Sequence, residues 1–210
     1  MSPVRRKPIA LFTPLVLAAV AVLAGCASKP ALDVQRFAID VPDGPLPSPV
    51  PGARLIALPS VRMNPLFVDS SLVYRVGGDR VEIDHYASLA APPRSLLTSA
   101  IRGYLLREPG VLGVMPGLVG SRGLTVDVNV QEMSGDFTRP GEPAGVLSLE
   151  VSVYPGDPVP GTSPVLRKVY TRREPLPKRT AEAVVAAWNR ALPSIMHELG
   201  KDLAGLLASP

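Results

Sequence analysis

One cysteine, two histidines and a single tryptophan stand among 210 residues, and each scarcity narrows what the chain can do. The lone cysteine, Cys26, allows no intrachain disulfide, so packing alone must hold the fold. His85 and His197 are too few to suggest a metal site. The pair His197-Glu198 lacks the second histidine of H-E-x-x-H, which excludes a zincin. There is no G-x-S-x-G elbow for a serine hydrolase. The glycine-rich stretch Gly113–Gly123 lacks the G-K-[ST] that would cradle phosphates, and it reads as a mobile loop. With no nucleotide motif, the chain cannot be the motor of a transporter. Long apolar runs are scarce too. Ile9–Ala24 has 16 residues and is broken by Thr13 and Pro14, short of the roughly 20 that a membrane span needs.

What is present begins around that run. Arg5, Arg6 and Lys7 precede it, and Leu23-Ala24-Gly25-Cys26 closes it. A basic segment, an apolar segment and small residues at the end make residues 1–25 an export signal. The four closing residues resemble the lipobox of bacterial lipoproteins. The resemblance implies that Cys26 opens the mature chain and carries covalent diacylglycerol and an N-acyl lipid such as palmitate, with no other cofactor. Two or three acyl chains hold a protein stably, at about 0.8 kcal/mol per buried CH₂. Ala27 rather than Asp follows the cysteine. By likeness to other lipoproteins this places the domain in the periplasm, anchored to the outer membrane, with the inner membrane as the alternative. Residues 26–32 are then the lipidated cysteine and a tether reaching ~20 Å, and residues 33–210 are the folded domain.

The pI near 9.5 suggests a nucleic-acid binder until the signal is set aside. It holds three of the 22 basic residues and none of the 18 acidic ones, leaving 19 against 18 in the mature chain. A nucleic-acid surface keeps a basic excess, so no nucleic-acid partner is expected.

Along the mature chain, Val34–Val41 predicts a short strand. Pro42–Gly52 is too rich in proline for regular structure and reads as an extended connector. Arg54–Pro59 is a further strand, and Leu72–Val76 and Val81–Asp84 flank Gly77-Gly78-Asp79 as a hairpin. A helix is expected to open near Pro92-Pro93, with Leu96, Leu97, Ala100, Ile101, Tyr104 and Leu105 at helical spacing, and to end near Glu108, since Pro109 and Gly110 oppose its continuation. Leu124–Gln131 and Leu147–Tyr154 alternate apolar and polar residues, the pattern of strands with one buried face and one wet or partner-facing side. Val165–Arg173 is a third strand whose facing is ambiguous. From Thr180 to Leu207 a long helix carries Val184, Val185, Trp188, Leu192, Ile195, Leu199, Leu203 and Leu206 on one stripe, with Thr180 as N-cap and Pro193 expected to kink it. The order predicts an α+β two-layer domain: a mostly antiparallel sheet, two helices packed on one face, and a long C-terminal helix.

Arg167, Lys168, Arg172, Arg173, Lys178 and Arg179 form a basic cluster. It reads either as a solvated strand and turn or as a contact for anionic headgroups or an acidic partner. Trp188 belongs to the core, His197 to the polar face of its helix, and His85 to the surface beside Asp84.

Together, the lipobox, Arg54–Val61, Asn64–Asp69, Ser71–Arg75, Val81–Tyr86, the helix opening at Ala91-Pro92-Pro93 and the long last helix resemble the ABC-type transport auxiliary lipoproteins, the PqiC-like family. The resemblance implies a non-enzymatic auxiliary subunit without catalytic residues. Its partners would be an MCE-domain substrate-binding protein and a separate permease and ATPase; apart from the resemblance, a homo-oligomer is also expected. Its task would be movement of phospholipids or other apolar compounds, supporting envelope integrity. The rival expectation is a structural outer-membrane lipoprotein without a transport role.

Overall fold

The computed structural model describes residues 34–208; the signal, Cys26 and the tether lie outside them. Nine strands among the described residues form one sheet: β1 (Gln35–Phe37), β2 (Arg54–Ala57), β3 (Arg62–Met63), β4 (Ser71–Gly77), β5 (Arg80–Leu89), β6 (Val111–Met115), β7 (Leu124–Asp136), β8 (Ala144–Pro155) and β9 (Leu166–Pro175). Helix α1 (Pro93–Leu105) follows β5, and α2 (Ala181–Ala208) follows β9.

Strand β7 is the spine. One of its edges pairs antiparallel with β8 over nearly its whole length, and β8 pairs likewise with β9. The other edge is shared end to end by three parallel neighbours: β2 at Leu124 and Thr125, β3 at Asn129 and Val130, β4 at Gly135 and Asp136. Beyond them, β6 joins β2 and β1 joins β5 in parallel. The architecture is α+β as predicted. The long pairings are antiparallel, and short parallel strands complete the sheet.

Alternation places Val126, Val128, Val130, Leu147, Leu149, Val151 and Val153 on the inner face, all fully or nearly buried. Each such side chain contributes roughly 1.5–3 kcal/mol by leaving water. The register shifts in β7 between Val130 and Glu132. The extra residue moves the inward positions to Met133 and Gly135, so β7 runs on beyond Gln131, the end its alternation predicts.

Helix α2 covers this face through Val184, Trp188, Leu192, Ile195, Leu199 and Leu203, all buried. Two glycines let it sit close. A Cβ on Gly145 would stand 2.5 Å from the Cβ of Ala187, and one on Gly135 would stand 2.9 Å from Cγ2 of Val184. Between them Trp188 donates Nε1–H to the carbonyls of Ser134 (3.2 Å) and Val146 (3.1 Å). Thr180 caps the helix, its Oγ1 accepting from the Ala183 amide at 3.2 Å. The helix stays continuous through Pro193, the expected kink site.

The hairpin forms as expected, with Gly77 opposite Arg80 and both Gly77 and Gly78 at positive φ. Two expectations need correction. Gly113–Gly123 is not a mobile loop throughout: Val111–Met115 is strand β6, with Gly113 paired to Leu55. The remainder is pinned by the Asp157 carboxylate, which accepts from the amides of Val119 (2.8 Å) and Gly120 (2.9 Å). The outer face of β7 and β8 is also drier than the alternation suggests. Thr125, Ser134, Ser148 and Ser152 are buried there, with Thr125 donating to the Gly156 carbonyl, Ser134 to Glu132, and Ser148 bonded to Thr171.

Candidate functional site

The outer sheet face is built from strand periodicity. Residues Asp127, Asn129, Glu132, Ser134 and Asp136 of β7 share it with Ser148, Glu150 and Ser152 of β8 and with Arg167, Val169 and Arg173 of β9. Its carboxylates each meet an arginine from another strand. Arg62 reaches Asp127 at 2.8 Å, Arg75 reaches Glu132 at 2.7 Å, Arg167 Nε donates to Glu150 at 2.6 Å, and Arg173 pairs with Asp136. Hydrogen bonding by Arg167 and Gln131 holds the Glu150 carboxyl below the ordinary range. Burial pushes Asp136 up, but bonds from Thr138 and Arg173 outweigh it and hold it low. Exposed pairs of this kind add little to stability. Their consequence is a charge-matched, half-dry surface.

Adjacent strand residues point to opposite faces, and this divides the basic cluster. Arg167 and Arg173 lie outside, as described. Lys168 and Arg172 turn toward α2, where Lys168 meets Asp202 (2.8 Å) and Glu198 (2.9 Å), and Arg172 meets Glu198 (2.6 Å). Tyr170 between them donates its hydroxyl to Asp202 at 2.7 Å, and Glu174 stands 3.6 Å from Arg190. Arg179 lies over the ring of Phe137, 5.2 Å from its centroid, and Lys178 is exposed. The cluster is therefore mostly consumed within the fold and presents no continuous basic patch. Of the two readings of this run, the solvated strand and turn fits Lys178 and Arg179, whereas Lys168, Arg172 and Arg173 are ion-paired within the fold, which neither reading anticipates.

This zipper has a pH signature. Bonds from Lys168 and then Tyr170 hold the Asp202 carboxyl below its ordinary 3.8, and bonds from Lys168 and Arg172 lower Glu198. A depressed carboxyl stabilises the fold above its unfolded pKa, and that stability is lost as pH falls through the folded value. Lys168 is raised by Asp202 and Glu198, so its share is full below 10.5 and fades as pH rises past the elevated value. Asp202→Asn is expected to lower Tm at pH 7. The gap to wild type should narrow below about pH 4, as thermal melts across pH would register.

The two histidines lie apart, both exposed, His85 on β5 and His197 on α2. Burial raises the Glu108 carboxyl, and His197 nearby partly offsets it. No group of three or more His, Cys, Asp or Glu among the described residues could hold a metal, and no helix among them is long and apolar enough to cross a membrane. Sequence reasoning did not single out Arg54 or Asp157. Arg54 donates to the carbonyls of Arg122 and Gly123 and to that of Leu206 at 2.9 Å, tying the β6–β7 loop to the end of α2. Asp157 joins that loop to the one after β8. A Gly156-Asp157 pair just after the alternating segment was the available signal.

A family model described as "ABC-type transport auxiliary lipoprotein component" matches residues 32–200. No curated protein matches. Among solved structures, protein XCC0632 from Xanthomonas campestris, of the family DUF330, superposes with a TM-score of 0.66 at 16% identity, over 79% of this chain and 92% of that one. An uncharacterized protein superposes at 0.64 with 15% identity, over 81% and 98%. At these identities the likeness concerns the fold alone.

Proposed function

Because the chain belongs to the ABC-type transport auxiliary lipoprotein component family, we propose that it is a lipid-anchored periplasmic subunit of an MCE-associated transport system for phospholipids or similar apolar compounds. Cys26 carries the acyl groups and holds the domain at the outer membrane. An ATPase and a permease supply the energy and the passage, and an MCE-domain protein carries the substrate. This chain's own part is docking rather than catalysis.

The observation that carries the reading is that the matched region begins at Leu32, six residues after the lipobox cysteine. A folded domain directly behind an acylation signal fits a part that works at a membrane surface. The charge-matched outer face of β7, β8 and β9 is the surface offered to the partner, because arginines and carboxylates there can exchange partners without leaving charges unpaired. Asn129 and Ser152 lie within it.

Crosslinking in cells followed by purification of the tagged chain tests this. The ATPase, permease and MCE-domain polypeptides are expected in the eluate, and Asn129→Arg together with Ser152→Arg should deplete them. An eluate of porins or peptidoglycan alone would favour a structural lipoprotein instead. Unchanged recovery with the double variant would remove the outer face from the interface.

A further inference from the structure

We infer that one face of α1 is a binding site for a phosphate ester, the headgroup of an anionic phospholipid. A depression of about 450 Å³ opens between α1 and the segment before β3, lined by Ser60, Ser95, Thr98, Ser99, Arg102 and Leu106. This lies within the range of about 300–1,000 Å³ typical of small-ligand sites. Three serines, a threonine and one arginine are among the residues that line it.

The unusual member is Arg102. Its half-buried guanidinium meets no acceptor among the described residues, and because Nε is enclosed by the fold, the terminal nitrogens are the ones a ligand can reach. The contrast within the molecule is direct: Arg62, Arg75, Arg167, Arg172 and Arg173 each meet a carboxylate. Helix α1 contains no Asp or Glu at all. Placement in the last turn of α1 suits the helix dipole.

Helical geometry extends the site. Arg94, Thr98 and Arg102 are spaced i, i+4 and i+8, so they form a row about 12 Å long on one side of α1. Ser95 and Ser99 stand beside it and are exposed. Thr98 is already engaged, its Oγ1 donating to the Arg94 carbonyl at 2.7 Å and accepting from the Val61 amide at 3.3 Å. That fixes the rim and leaves the serines free to turn toward a ligand. An arginine fork with hydroxyl donors suits the tetrahedral oxygens of a phosphate, and no acid is among the residues that line the depression. The site is also near the N-terminal end of the domain: β1 pairs with Ala87–Leu89 of β5, and α1 opens four residues after Leu89. A free phosphate offers the same oxygens. The choice of a lipid as its source rests on the transport reading above.

The test is calorimetric titration of the mature chain, as isolated, in neutral maltoside micelles. One arm adds phosphatidylglycerol to the micelles and the other adds inorganic phosphate. Saturable binding of phosphatidylglycerol is expected, weakened about tenfold or more by Arg102→Gln and unchanged by Arg80→Gln, which removes the same charge from the exposed hairpin tip. Ser99→Asp, at an exposed position, should weaken binding similarly and guards against misfolding of the first variant. Arg102-dependent binding of inorganic phosphate with equal strength would uphold the anion site and assign it to the free ion. Binding of neither probe, or binding indifferent to both variants, would overturn the proposal. The intact mass of the mature chain reports separately on acylation of Cys26, so failure of the anchor reading and failure of this site are distinguishable.

Discussion

Trp188→Ala is expected to destabilise the domain by about 3–5 kcal/mol, enough to remove a large part of the stability of an ordinary domain. The side chain is only 2% exposed and sits where α2 comes closest to the sheet, beside Gly135 and Gly145. Truncation leaves a cavity that those glycines cannot fill, and it strips the Ser134 and Val146 carbonyls of a shared donor. Trp188→Phe keeps most of the volume and loses only the N–H, so a smaller loss of about 1–3 kcal/mol is expected. Urea unfolding of both variants separates packing from hydrogen bonding. A loss below about 1 kcal/mol for the alanine variant would mean that α2 is held chiefly by its other contacts.

Cys26→Ser is expected to have the largest effect on location. With no acyl chains, and no helix among the described residues able to cross a membrane, the exported chain should move from the membrane pellet to the soluble periplasmic fraction. Incorporation of labelled palmitate should be lost with it. The remaining membrane affinity would come from headgroup contacts such as those proposed on α1, which are weak beside about 0.8 kcal/mol for every CH₂ of several acyl chains. A variant that still sediments with membranes would place the anchor elsewhere.

Much of the fold was legible in the chain. Strict alternation in Leu124–Gln131 and Leu147–Tyr154 and the apolar stripe through Trp188 predict the sheet spine and the helix that covers it. Failures came where structure depends on distant partners. The bulge in β7 interrupts the alternation, so the continuation through Met133 and Gly135 looks irregular until its pairing with β8 is known. Strand β6 carries a glycine and owes its conformation to parallel pairing with β2, more than fifty positions earlier. The two-residue strand β3 is too short to leave a pattern. The basic run was legible as composition, but its neutralisation depends on Glu198 and Asp202, which α2 brings back across β9. Arg102 had a faint signal: a helix with two arginines, several hydroxyl residues and no acid. Only the geometry distinguishes it from an ordinary exposed arginine.

The domain has its charges mostly satisfied internally and a helix tightly seated on its sheet, and the proposed acylation of Cys26 would hold it at a membrane. On this view the anchor is a functional part and not only an address. The decisive measurement is transfer of a labelled phospholipid between the envelope membranes in cells lacking the chain and then supplied with wild type or Cys26→Ser at equal levels. Wild type should restore transfer, while the folded but unanchored variant should not. Full restoration by Cys26→Ser would contradict a role that depends on being held at the membrane.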